Sequence, residues 1–176
     1  LSINMHGIGE SVAILWPGRT TKPWQGFGVD RPIPLREEDV RLIMTQSLLL
    51  TLALMASDNH AAAALARTYP GGMPAFLDAV QSKCRALGLT RTIIVEPTGL
   101  SPSNLSSALD WSRVLQAATA YPDIERITRQ PHEMVQVNGR PRRVLNTNRL
   151  VGEAGWHILL SKTGFTDEAG RCLSMR

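Results

Sequence analysis

The sequence predicts a mixed α/β fold of the α+β kind, with helices in its first two thirds and antiparallel strands in its last. Three observations carry this. Apolar and alanine-rich stretches with capping signals recur between about residues 36 and 121. Asn138-Gly139, flanked by Val135 and Val137 on one side and Val144 and Leu145 on the other, marks a two-residue hairpin. A strand, turn and return strand then close the chain.

The elements follow in order. Residues 17–34 hold four prolines and three glycines without helix or strand periodicity, so residues 1–35 are expected to be a loosely packed, atypical segment. Glu37, Glu38 and Asp39 suit a helix N-terminus, and a helix is expected from near 36 until Met55-Ala56-Ser57-Asp58-Asn59 breaks the apolar run. The alanine-rich residues 59–67 read as a second helix, ended by Pro70-Gly71-Gly72. Pro74 fits a first helical turn, and Phe76, Leu77, Val80, Cys84 and Leu87 share one face before Gly88. Ser107 and Asp110 read as a capping box, with Trp111, Val114, Leu115 and Ala118 on one face until Tyr121-Pro122. Residues 156–160 are expected to be a strand with Lys162-Thr163-Gly164 at its end, 166–170 a turn and 171–175 the return strand. A chain ending inside a hairpin is expected to be incomplete, leaving apolar surface uncovered around Ile158, Leu160 and Leu173.

Composition excludes several classes. The chain has 176 residues, 43% hydrophobic and 19% charged, enough for a globular core and too apolar for a disordered polyelectrolyte. Its net charge of +4 comes from scattered arginines, and Arg140, Arg142 and Arg143 have no aromatic neighbours, so no nucleic-acid partner is expected. Cys84 and Cys172 lie far apart without metal-ligand spacing, and the four histidines form no pair, so neither a metal nor another cofactor is assigned. The longest apolar stretch, residues 48–56, is far short of a transmembrane span.

Two triplets bear chemistry. Ser57-Asp58-Asn59 sits at a helix start, and Lys162-Thr163-Gly164 lies in a strand context further along the chain. Each alone is common, Ser-Asp-Asn most often being a polar helix cap. Together, in this order, they fit an acyl-transfer site. Ser57 can relay a proton, Asn59 can hold a substrate amide, and Lys162 places a positive charge beside a nucleophile. Gly164, lacking Cβ, lets a substrate backbone approach the strand, and Thr163 and Thr166 can donate to a substrate carboxylate.

The resemblance extends beyond the triplets. LALMASDNHAAAALARTYPGG (52–72), ALGL (86–89), VEPTGLS (95–101), NTNRLV (146–151) and KTGFTDEAGRCL (162–173) resemble the low-molecular-mass penicillin-binding proteins of the D-alanyl-D-alanine carboxypeptidase family, and most closely its endopeptidase branch. The resemblance implies a transpeptidase/β-lactamase-like fold, an antiparallel sheet flanked by helices and incomplete at both ends. Residues 36–176 would be part of a periplasmic serine peptidase domain acting on peptidoglycan stem peptides, with β-lactams as inhibitors. It also implies that Ser57, Asn59 and Lys162 are catalytic, that Thr163, Gly164 and Thr166 contact substrate, and that the Phe165 N–H forms half of an oxyanion hole. Glu96, within VEPTGLS, is read as structural. The family's Ser-x-x-Lys motif, which carries the nucleophile and its base, occurs nowhere in the 176 residues. The chain is therefore expected to be inactive by itself; the alternatives are a non-catalytic peptidoglycan- or β-lactam-binding remnant and a relative of the class A β-lactamases. If the fold is kept, Ser57 and Lys162 should share one cleft.

Overall fold

The structure, a computed structural model, describes residues 37–137 and 139–176. Five helices precede four strands: α1 (Glu37–Met55), α2 (Asn59–Arg67), α3 (Gly72–Ala86), α4 (Ala108–Ala118), α5 (Pro122–Thr128), β1 (His132–Val137), β2 (Arg140–Leu145), β3 (Ser161–Thr166) and β4 (Gly170–Met175). The chain divides into two compact units, Leu1–Ser47 and Leu48–Arg176, and the second carries all that follows. The expectation for residues 1–35 lies outside the described residues.

The break between α1 and α2 forms where the sequence places it. The N–H groups of Ala56 and Asp58 both return to the Leu52 carbonyl, at 3.1 Å each, and Ser57 between them takes a left-handed φ of 56°. Asp58 then caps α2, its side chain accepting from the Ala61 N–H at 2.8 Å. Gly71, at φ 86°, opens α3 at a corner where a Cβ would stand 2.7 Å from that of Ala75, so only glycine fits. Tyr69 and Phe76 meet edge to face across this corner, 5.8 Å between ring centres.

The capping box is only half formed. Ser107 caps α4 by accepting from the Asp110 N–H at 3.2 Å, but the Asp110 carboxylate does not reach back. It is 1% exposed and instead accepts from the Arg91 N–H at 2.7 Å and the Thr92 hydroxyl at 2.9 Å, with Arg113 beside it at 3.3 Å. A desolvated carboxylate takes the strongest donors in reach, and here these lie in the preceding loop rather than in its own first turn. Glu96 performs the structural task read from the sequence, gathering the N–H groups of Thr98, Gly99 and Ser101 and the Asn104 side-chain amide. Helix α5 is an element that sequence reasoning passes over, since Pro122 ends α4 and also opens α5 at its first position, with Asp123 and Glu125 in the first turn.

Met55, Ile127, Val135 and Val144 form the buried core, with Leu48, Leu52 and Ala56 of the α1 end packed against it. The strands form two separate two-stranded antiparallel sheets, β1–β2 and β3–β4, flanked by helices. Val137 pairs with Arg140, the register of the expected two-residue loop; Asn138 itself is outside the described residues.

Residues 156–160 are not a strand. Gly152 and Gly155 adopt left-handed conformations, and the Trp156 N–H closes a turn on the Glu153 carbonyl at 3.2 Å, so the backbone here is spent on turns. Pairing begins at Leu159 and Leu160, whose N–H groups donate to the Arg176 carbonyl at 2.8 and 3.3 Å while the Leu160 carbonyl accepts from the Arg176 N–H, and β3 starts at Ser161. Lys162-Thr163-Gly164 consequently opens a strand instead of ending one. Leu160, expected to be uncovered, is 3% exposed, whereas Leu173 is 47% exposed.

Candidate active site

Ser57 and Lys162, 105 residues apart, meet. The Lys162 ammonium donates to the Ser57 hydroxyl oxygen and, at 2.7 Å, to the carbonyl of Thr163. Among the described residues its partners are neutral oxygens, and burial holds its pKa below the ordinary lysine value. Ser57 reaches this position because of its left-handed backbone, a conformation that costs a non-glycine residue of order 1–3 kcal/mol and that clusters at functional sites. Asn59 is the first residue of α2, one position beyond the Asp58 cap.

The β3 edge follows from the ladder. Leu160 and Arg176 exchange bonds in both directions, at 3.3 and 2.9 Å. Antiparallel pairs alternate, so Lys162, Gly164 and Thr166 bond toward β4, and Ser161, Thr163 and Phe165 turn their backbone groups away from it. Two contacts agree with this: the Ser161 N–H lies 3.4 Å from the Thr128 hydroxyl, and the Thr163 carbonyl accepts from Lys162. The Phe165 N–H therefore points out of the same edge, and its side chain is exposed. Gly164 is exposed too, and a Cβ there would meet only that of Cys172, at 3.8 Å, so packing within the chain does not demand glycine. Thr166 ends β3 with its hydroxyl oxygen accepting from the Ala169 N–H at 3.1 Å.

Thr147, within NTNRLV, is a neighbour that the motifs do not reveal. Its hydroxyl lies 2.6 Å from that of Thr163, and its N–H and hydroxyl both donate to the Met55 carbonyl, at 3.0 and 3.3 Å. Asn146 before it clamps the end of α5, donating to the Thr128 and Gln130 carbonyls. The structure thus joins Ser57, Lys162 and Thr163 directly, carries Gly164, Phe165 and Thr166 along the same strand, and keeps Asn59 beside Ser57 in sequence. A neighbouring cleft of about 480 Å³, lined by Leu52, Ala56, Asp58, Val137, Val144 and Thr147, does not include Ser57 or Lys162 in its walls.

Residues 33–176 match the family model of peptidase S11, D-alanyl-D-alanine carboxypeptidase. The chain belongs to this family. It is 48% identical over 131 residues to a D-alanyl-D-alanine endopeptidase of Pseudomonas aeruginosa, covering 73% of this chain and 42% of the relative. An Escherichia coli D-alanyl-D-alanine endopeptidase is 47% identical over the same length and shares. The chain spans about two fifths of the length of these relatives. Among solved structures, a D-alanyl-D-alanine carboxypeptidase from Mycobacterium tuberculosis superposes with a TM-score of 0.64 at 25% identity, covering 89% of this chain and 62% of that one. Penicillin-binding protein D2 from Listeria monocytogenes, in its cefotaxime-bound form, gives 0.60 at 28% identity over 70% and 50% of the two chains. The Streptomyces K15 DD-transpeptidase gives 0.68 at 23% identity over 73% and 54%, a likeness of fold. Among the described residues no helix is long and apolar enough to cross a membrane.

Proposed function

We propose that residues 36–176 carry one part of a serine D-Ala-D-Ala peptidase site, acting in the periplasm on peptidoglycan stem peptides and open to β-lactams. The observation that supports this most is the Lys162 ammonium on the Ser57 hydroxyl, bridging the two triplets. In such a reaction a serine hydroxyl adds to the penultimate D-Ala carbonyl, the C–N bond breaks, the leaving amine takes a proton, and water hydrolyses the ester. Ser57 passes the proton toward the leaving amine, and Lys162 supplies positive charge beside the reacting carbonyl. Asn59 holds the substrate amide. The open β3 edge receives the peptide, with the Phe165 N–H toward the developing oxyanion, Gly164 leaving room, and the hydroxyls of Thr163 and Thr166 toward the terminal carboxylate. The serine that is acylated belongs to Ser-x-x-Lys, which these 176 residues do not contain; by themselves they bind without turning over.

The purified chain should bind diacetyl-L-Lys-D-Ala-D-Ala reversibly, weakened roughly ten-fold or more by Lys162→Met, and should form no denaturation-resistant adduct with a fluorescent penicillin. A stable adduct would show that a nucleophile among these residues had been overlooked. Binding indifferent to Lys162 would remove the role given to the β3 edge.

A further inference from the structure

Thr147 touches both halves of the candidate site. Its hydroxyl stands between the Met55 carbonyl (3.3 Å), two residues before Ser57, and the Thr163 hydroxyl (2.6 Å), one residue after Lys162. A threonine hydroxyl has one proton to give. When Thr147 donates to Met55, the short contact between the two hydroxyls is filled by the Thr163 proton, and Thr163 then has none to offer a ligand. When Thr147 turns its proton toward Thr163, Thr163 accepts it and frees its own. The Met55 carbonyl is not orphaned by this turn, because the Thr147 N–H already donates to it at 3.0 Å. The exchange therefore gives up one long hydrogen bond and preserves the short one.

We propose that Thr147 is a positioning residue that turns the Thr163 hydroxyl into a donor for an anionic oxygen, and so helps the site prefer ligands with a free terminal carboxylate. This rests on the reading above, in which Thr163 meets that carboxylate. Lys162 attracts the anion by charge, without direction; the Thr147–Thr163 pair adds a donor aimed along a chain whose polarity a neighbouring carboxylate reinforces. A purely structural Thr147 would act through Met55, and its backbone N–H keeps that contact in any variant.

The test compares the affinity of the 176-residue chain for diacetyl-L-Lys-D-Ala-D-Ala and for the same peptide ending in a carboxamide, by calorimetric titration. The unaltered chain should prefer the carboxylate, and Thr163→Val should reduce that preference roughly ten-fold. Thr147→Val and Thr147→Ala should each lower it by a smaller factor, roughly three-fold, because Thr163 keeps its proton but loses the neighbour that aims and polarises it, while carboxamide binding stays within about two-fold, and Thr147→Ser should retain the preference. Two independent truncations guard against one of them failing to fold. An unaltered preference in Thr147→Val or Thr147→Ala, with Thr163→Val reduced, overturns this proposal alone. Equal loss of both ligands in the Thr147 variants also overturns it. No carboxylate preference in the unaltered chain overturns the reading on which it rests, and this inference with it.

Discussion

Two buried polar clusters in this chain are built on opposite principles. Around Asp110 the charge is a carboxylate, 1% exposed, and it is answered by a backbone N–H, a hydroxyl and a guanidinium. Burial works against its ionisation, but the Arg91 and Thr92 hydrogen bonds and the Arg113 charge outweigh burial and hold its pKa below the ordinary value. Around Lys162 the charge is an ammonium met by a hydroxyl and a carbonyl, and burial wins, lowering its pKa. The first cluster is satisfied and ties the loop at residues 91–92 to α4. Among the described residues the second gives its cation neutral oxygens alone, and in the proposed reading a ligand anion completes it.

The comparison breaks most readily at Asp110. Asp110→Ala should lower the melting temperature more than any substitution of Lys162 or Ser57, because the Arg91 N–H, the Thr92 hydroxyl and the Arg113 guanidinium lose their shared acceptor. Asp110→Asn sharpens the point through pH. With the folded pKa depressed, the contribution of Asp110 is present above the unfolded value of 3.8 and is lost as pH falls through the folded value. Thermal melts of Asp110→Asn should therefore show a shallower acid limb than those of the unaltered chain; identical limbs would deny the carboxylate its role.

Lys162→Met should act in the opposite sense, leaving the neutral-pH melting temperature unchanged or raised while ligand affinity falls. The folded-state pKa lies below 10.5, so between the two values the unfolded chain binds more protons and stability rises with pH. That rise should disappear in the variant, and a large loss of melting temperature would mean that the ammonium is structural after all. The smallest effect belongs to Ser57. Ser57→Gly relieves the left-handed backbone and should be more stable than Ser57→Ala by roughly 1 kcal/mol in urea titrations, although both lose the hydroxyl. Equal midpoints would show that the turn stores no strain.

Much of this was legible in the residues. Helices α2 and α3, the Val137 and Arg140 register and the Ser57-Asp58-Asn59 triplet stand where the residue pattern places them, while Lys162-Thr163-Gly164 lies in a strand but at its start instead of its end. The departures from that pattern share a cause. Residues 156–160 are apolar enough for a strand, yet turns at Gly152 and Gly155 delay pairing until Leu159 and Leu160 find Arg176. Asp110 has the spacing of a capping box, yet burial hands it to Arg91 and Thr92.

By itself the sequence determined what hydrogen bonds within a few residues can decide: where α1 breaks, that Ser57-Asp58-Asn59 stands at the start of α2, that β1 turns back into β2, and which side chains carry chemistry. The family resemblance implies one cleft for Ser57 and Lys162, but only the tertiary structure decided that the Lys162 ammonium rests on the Ser57 hydroxyl itself, and that Thr147 bridges Met55, 92 residues away, to Thr163. The physical reason is range. A cap or a two-residue turn is closed by groups that the chain already holds close together. The meeting of the α1–α2 turn with β3 depends on long-range packing around the core of Met55, Ile127, Val135 and Val144, and no local spacing encodes which loop hydroxyl that packing leaves between them.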